Sequence, residues 1–167
     1  MIKTVYLAGG CFWGVEAFFK QLLGVKSTKT CYVNGGYEGV DYKTVCKGSD
    51  HAEAIELVYD DEILSENIIW EAFLTIIDPY SYHQQGNDKG SQYRTGVYTN
   101  DAKLLNKFKK YNVKFIESEG KQNFIEFLPV TDVTIAEDYH QDYLGKNPLG
   151  YCHVDLNSGK EEWKKRG

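Results

Sequence analysis

No two cysteines of this 167-residue chain are spaced C-x-x-C, so neither a zinc ribbon nor a thioredoxin-type dithiol is indicated. No apolar run approaches the length of a membrane-spanning helix. Met1-Ile2-Lys3 runs straight into a short alternating strand pattern where a secretory leader would carry an apolar core. Lysines and arginines are spread instead of clustered, and the formal charge is -5, which argues against a nucleic-acid or anionic-membrane surface. Repeats, low-complexity linkers and domain boundaries are also missing. What remains is one domain over 1–167, long enough to bury a core without disulfide staples. A cytoplasmic location is expected, where Cys11, Cys31, Cys46 and Cys152 stay reduced and available as catalytic or redox thiols.

The chain is organised around Gly9-Gly10-Cys11-Phe12-Trp13-Gly14. Residues 2–8 are rich in β-branched and aromatic types, a strand pattern, and the Gly9-Gly10 pair permits a sharp turn. The period then changes. Val15, Phe18, Phe19, Leu22 and Leu23 fall at i, i+3, i+4, i+7 and i+8, one apolar helical face, with Gly24 where a C-cap glycine would sit. Cys11 is therefore at or just before a helix N-terminus, where free N–H groups and the macrodipole favour a thiolate, the nucleophilic form. A free cysteine is also commonly a small buried hydrophobe, and position alone leaves both readings open. Phe12 and Trp13 tilt the balance, because a small apolar pocket beside a thiolate would use both rings.

Residues 25–33 read as a second strand, followed by the turn Asn34-Gly35-Gly36 and a long loop to about Gly48. In the strand pattern of 53–59, alternation puts Glu53 on one face with Ile55, Leu57 and Tyr59, and Glu56 on the other. A carboxyl that begins an apolar face is either at the strand's wet end or partly desolvated. The second case raises its pKa and suits it to general-acid work near neutrality. Ser65 predicts an N-cap for a helix carrying Ile68, Ala72, Phe73, Ile76 and Ile77, which Asp78-Pro79 ends. A polar, glycine-rich loop over 80–92 leads to a strand at 93–98, a third helix is predicted over 101–117, and a further strand over 124–130. The β-α-β-β-α-β order predicts an α+β protein with a ferredoxin-like (split βαβ) two-layer sandwich core, one additional helix and long loops. Aromatic content is 14%, with 13 tyrosines; most are read as covering loop-rich surface, and a few as hydrogen-bond donors inside a site.

Several blocks together resemble the peptide methionine sulfoxide reductases of the A type. They are Gly10-Cys11-Phe12-Trp13-Gly14; Tyr42-Lys43-Thr44-Val45-Cys46-Lys47-Gly48; His51-Ala52-Glu53; the run from Gln85-Gly86-Asn87-Asp88 to Gln92-Tyr93-Arg94; Ala136-Glu137-Asp138-Tyr139-His140-Gln141-Asp142-Tyr143-Leu144; and Asn147-Pro148 with Gly150-Tyr151-Cys152-His153. The resemblance implies reduction of the S-epimer of methionine sulfoxide, free or in proteins, as antioxidant repair. Cys11 then resembles the nucleophile that attacks sulfur and is left as a sulfenic acid. Glu53 resembles the acid that protonates the sulfoxide oxygen, Tyr42 and Tyr93 the hydroxyls that hold that oxygen, Phe12 and Trp13 the cup for the S-methyl group, and Asp88 a residue of the substrate cleft. Cys152 resembles the resolving cysteine, carried on a tail from about 145 that Asn147-Pro148 and Gly150 make flexible. The resemblance further implies an intramolecular disulfide recycled by a thioredoxin-like reductant, no organic cofactor, no metal and a monomer. Cys31 stands where the family usually has glycine, and it and Cys46 are read as structural. His51 and His140 match family blocks without needing a chemical role, and His83 and His153 are read as surface or loop residues.

Two other classes fit parts of the pattern. A Cys-His hydrolase or acyltransferase would need one of the histidines against Cys11. A peptide-binding module with an aromatic groove would keep its function in Cys11→Ser.

Overall fold

The computed structural model describes residues 1–165. Strand β1 (Ile2–Gly9) runs into helix α1 (Phe12–Lys20), followed by β2 (Val25–Val33), a short helix α2 (Tyr42–Cys46), β3 (Ala52–Asp60) and α3 (Glu66–Ile76). A small hairpin, β4 (Gln84–Gln85) with β5 (Asp88–Lys89), precedes β6 (Thr95–Tyr98) and α4 (Ala102–Glu119). Then come β7 (Glu126–Leu128), β8 (Val133–Ile135) and α5 (Tyr143–Lys146). Six strands form one sheet in the order β7-β6-β1-β3-β2-β8, antiparallel throughout except between β6 and β7. The protein is thus mixed α+β with a sheet core. None of the described helices is long and apolar enough to cross a membrane.

Strand alternation decides which side chains meet. Leu7 of β1 lies opposite Ile55 of β3 and Val97 of β6, and Glu53 of β3 lies opposite Tyr32 of β2. One sheet face joins the main core, where Val5, Leu7, Ile55, Leu57 and Tyr59 pack with Phe12, Val15, Phe18 and Phe19 of α1 and with Ile69 and Phe73 of α3. The other face holds a smaller cluster of Ala8, Cys31, Val33, Ala52, Ala54 and Tyr98. Glu53 follows the alternation of Ile55 and Leu57, so its carboxyl points to the helix-covered side and is buried.

Helix ends mostly follow their caps. Ser65 Oγ accepts from Ile68 N at 3.3 Å, and the Asp101 carboxylate accepts from Lys103 N and Leu104 N. Gly120, at φ +73, closes α4 in the left-handed conformation. Two expectations fail in informative ways, and one strand is added. Helix α1 stops at Lys20 with Gln21 as its C-cap, so Leu22 is buried from the following turn, Leu23 is exposed, and Gly24 belongs to the turn into β2. At Gly24, with φ +94, a Cβ would come within 2.8 Å of Leu64. The stretch expected as a loop to about Gly48 contains α2, because Asp41 Oδ1 accepts from Thr44 N at 2.8 Å and closes a helical turn. Beyond 130 a further strand, β8, pairs with β2, placing Ile135 opposite Cys31.

Candidate active site

The site is assembled at one end of the sheet, where β1 ends, α1 begins and β3 starts. Gly10 adopts φ +94, and a Cβ there would come within 2.7 Å of Gln85, so strand passes to helix through a turn only glycine fits. Cys11 occupies the N-cap of α1 and is 8% exposed. The helix start acts as the sequence suggests, since the Trp13 N–H favours the thiolate. Burial nevertheless dominates and pushes the thiol up, and the charges of Glu53 and Asp88 push the same way. Burial thus opposes the thiolate that a helix N-terminus favours.

Glu53 is 1% exposed. Its Oε1 accepts the Phe12 N–H at 3.2 Å, while Oε2 is buried with no hydrogen-bond partner among the described residues. Burial pushes its carboxyl up to about 8, aided by the charge of Asp88 and opposed by the Phe12 N–H. Of the two sequence readings, the desolvated one is what the fold builds. Near neutrality this group holds a proton that it can give to an oxygen brought against Oε2.

Tyr42, Tyr93 and Asp88 are brought to the same place. Burial raises the Tyr93 hydroxyl, and the charges of Glu53, Asp88 and Cys11 act on it too. The Tyr42 hydroxyl is raised by burial, by a hydrogen bond with Cys46 and by the Glu53 charge. Both phenols remain protonated donors at any ordinary pH. Asp88, on the hairpin, accepts the Tyr151 hydroxyl at 3.0 Å, and burial with that bond pushes the phenol up to about 12.

The aromatic wall depends on residues that are distant in sequence. The Phe12 ring packs on Tyr32 and His140, with centroids 5.5 and 5.1 Å away. Trp13 stacks on Tyr143 at 3.8 Å, nearly parallel at 11°, and its indole N–H donates to His140 Nδ1 at 2.9 Å. Glu137 accepts the Tyr32 hydroxyl at 2.8 Å through Oε1 and the Tyr42 N–H at 2.9 Å through Oε2. His140, Glu137 and Tyr143 thus orient Phe12, Trp13 and Tyr42, although sequence reasoning gave His140 no role and left Glu137 and Tyr143 without one. Their only signal was the shared block Ala136–Leu144 spanning residues 136–144.

Cys152 reaches the site along the C-terminal segment. Its Sγ donates to Val154 O at 3.1 Å and lies 3.1 Å from where a Gly14 Cβ would be, one helical turn beyond Cys11. The segment is docked: Tyr151 bonds Asp88, His153 Nε2 bonds Gly9 O at 2.9 Å, and Val154 is buried. Further on, Leu23 N–H donates to Trp163 O at 2.7 Å and Leu22 bridges Lys164. His153, read from sequence as a surface or loop residue, is half-buried beside Gly10.

The remaining thiols differ. Cys31 is fully buried on the opposite sheet face, its Sγ 3.5 Å from Ala54 O. Cys46 is exposed at the end of α2 and hydrogen-bonds the Tyr42 hydroxyl. Among the described residues no histidine hydrogen-bonds Cys11: His140 serves Trp13, His153 serves Gly9, and His51 lies between Ser49 and Tyr37 O. That removes the arrangement a Cys-His hydrolase needs. No group of three or more metal-ligating side chains that could hold an ion occurs among the described residues.

A buried thiol, a neutral carboxylic acid, two phenols and an aromatic wall define a thiol-dependent oxidoreductase site. The family model described as peptide methionine sulfoxide reductase matches residues 3–167, and the chain belongs to that family. It is 53% identical over 166 residues to the peptide methionine sulfoxide reductase MsrA of Mycoplasmopsis pulmonis, covering 99% of this chain and 100% of that one. The crystal structure of Mxr1 from Saccharomyces cerevisiae in reduced form superposes with a TM-score of 0.83 at 30% identity, covering 95% of this chain and 91% of that one. Mxr1 in complex with Trx2 is a more distant match, with a TM-score of 0.58 at 18% identity over 85% and 84% of the two chains.

Proposed function

We propose that the chain reduces the S-epimer of methionine sulfoxide, free or in proteins, in three steps. Cys11 attacks the sulfoxide sulfur as Glu53 protonates the oxygen, which Tyr42 and Tyr93 hold by hydrogen bonds. Phe12 and Trp13 receive the S-methyl group, and Asp88 lines the cleft. Across this step the S–O bond to the methionine sulfur breaks and an S–OH bond to Cys11 forms; the methionine sulfur gains two electrons and leaves as the thioether, Cys11 loses two and becomes a sulfenic acid, and the Cys11 thiol proton replaces the one Glu53 gave. Cys152 then attacks the Cys11 sulfur. An S–S bond forms, the S–O bond breaks, and the hydroxyl departs as water with the Cys152 proton. A thioredoxin-like dithiol reduces the disulfide and completes the cycle. The neighbour solved with Trx2 and the family resemblance support that partner.

The observation that carries this reading is Glu53: a buried carboxyl beside Cys11, one oxygen unpartnered, with its pKa pushed up to about 8. A sulfoxide has a poor leaving oxygen, and a neutral acid in a dry site is what its departure requires. The neighbour order β6-β1-β3-β2 supports the split βαβ reading of the core. We take 1–167 as one catalytic domain acting as a cytoplasmic monomer, in which the segment from about 145 carries the resolving Cys152.

Resolved epimers test the proposal. Reduced protein without recycling reductant should convert the S-epimer to methionine in a single burst, with loss of thiols. A burst from the R-epimer, or from neither, would overturn it.

A further inference from the structure

His153 follows Cys152 directly, and its ring fills a notch beside the catalytic turn. Nε2 lies 2.9 Å from Gly9 O, two residues before Cys11. A Cβ on Gly10 would come within 2.9 Å of that nitrogen, and one on Gly86 within 3.4 Å of the His153 Cβ. Gln85 forms the far wall. It is itself fixed, because its amide accepts from Asp78 N at 2.8 Å and donates to Asp78 O at 2.9 Å. Among the described residues Nδ1 is buried with no partner, so the ring's one polar engagement with them is the bond to Gly9. A carbonyl only accepts, which places the ring proton on Nε2 and leaves Nδ1 as a bare lone pair.

We propose that His153 is a positioning residue for the resolving step: bonded to the Gly9 carbonyl, it holds Cys152 in register beside the first turn of α1. The inference rests on Cys152 being the resolving thiol. On the other side of Cys152, Tyr151 is tied to Asp88, so the thiol is bracketed by anchors on both flanks of the site. Gly14 leaves the space into which Cys152 Sγ fits, and a side chain at 14 would meet it at 3.1 Å. Residues i and i+3 of a helix are neighbours on one face, so a thiol docked on Gly14 is one turn from the sulfenic acid. Without the His153 anchor the segment samples more positions, and the effective concentration of Cys152 at Cys11 falls. The attack on sulfoxide uses neither group and should not change.

Two rates separate the steps: the methionine burst, and the decay of the sulfenic acid, read by dimedone trapping and by mapping of the Cys11–Cys152 link. His153→Ala should keep the native burst while disulfide formation slows about tenfold, the scale of one lost hydrogen bond acting through effective concentration. His153→Gln, which returns an N–H donor near the Nε2 position, should recover most of that rate. Turnover driven by dithiothreitol, which reduces the sulfenic acid directly, should change little in either variant. An unchanged or faster disulfide step in His153→Ala overturns the proposal. So does a burst that falls as much as the disulfide step, which would mark a merely structural role. Cys152→Ser identifies which premise failed. If that variant stalls under thioredoxin while His153→Ala does not slow, only the anchor falls; if it turns over like the native protein, the resolving role falls and the anchor with it.

Discussion

Cys11 and Cys31 are both buried thiols held by the same sheet, and they differ in everything that touches them. Cys31 points to the smaller cluster, among alanines, Val33 and Tyr98, with its Sγ 3.5 Å from the Ala54 carbonyl. Cys11 sits on the helix-covered side at the end of a strand, under the influence of Glu53, Asp88 and the Trp13 N–H. Burial raises both thiols, so burial alone does not make a nucleophile. What distinguishes Cys11 is a neighbouring acid that keeps its proton near neutrality, with phenols and aromatic rings around it. The comparison fails if Cys31 proves reactive, and it sharpens if removing each neighbour of Cys11 removes a definable part of the chemistry.

The largest effect is expected from Cys11→Ser, which should release no methionine in a single turnover and form no sulfenic acid detectable by dimedone. Any burst above background would mean that another thiol performs the attack. Glu53 comes next. Glu53→Ala should slow the first step by about 10²–10⁴-fold, the range for a positioned general acid, and Glu53→Gln less, because an amide still donates a hydrogen bond. The pH dependence has a definite sign. The acid form is the active one, so the native burst rate should hold on the acid side and decline as pH rises past about 8, where the raised carboxyl ionises. In Glu53→Gln that decline should vanish, and its persistence would assign the titration to another group. Cys152→Ser should release one equivalent of methionine and then stop under thioredoxin, with dithiothreitol restoring turnover. A native peptide map linking Cys11 to Cys31 or Cys46 would contradict the assignment.

Much of this site could be read from local pattern, and the parts that could not depend on contacts between distant segments. Alternation along 53–59 placed Glu53 on the apolar face, and Ser65 marked a helix start, because each signal lies within a few residues of its effect. The environment of Cys11 was less legible for the opposite reason. A helix terminus is a local feature, whereas the desolvation that outweighs it comes from the tertiary fold. The same holds for the partnership of Trp13 with His140, 127 positions apart, and of Glu137 with Tyr42, 95 apart. Nothing at Trp13 announces which residue will accept its N–H. Helix α2 was missed because its capping aspartate lay inside a glycine-rich stretch that reads as loop, and this also concealed that Tyr42 and Cys46 share one helical face.

The smallest effect completes the comparison. Cys31→Ala removes one sulfur from a packed face without exposing any charge, so it should cost about 1 kcal/mol of stability, within the ordinary range for trimming a buried side chain. Burst rate, disulfide formation and thioredoxin-driven turnover should all stay within about twofold of native, since Cys31 packs in a separate cluster on the sheet face away from Glu53 and Phe12. Cys31→Ser is the stricter test: its hydroxyl can donate to the Ala54 carbonyl where the thiol now lies 3.5 Å away, so the fold should tolerate it despite the added polarity. If either variant lost the burst while remaining folded by thermal denaturation, the two faces of the sheet would be coupled, and the contrast between an inert and a reactive buried thiol would no longer hold.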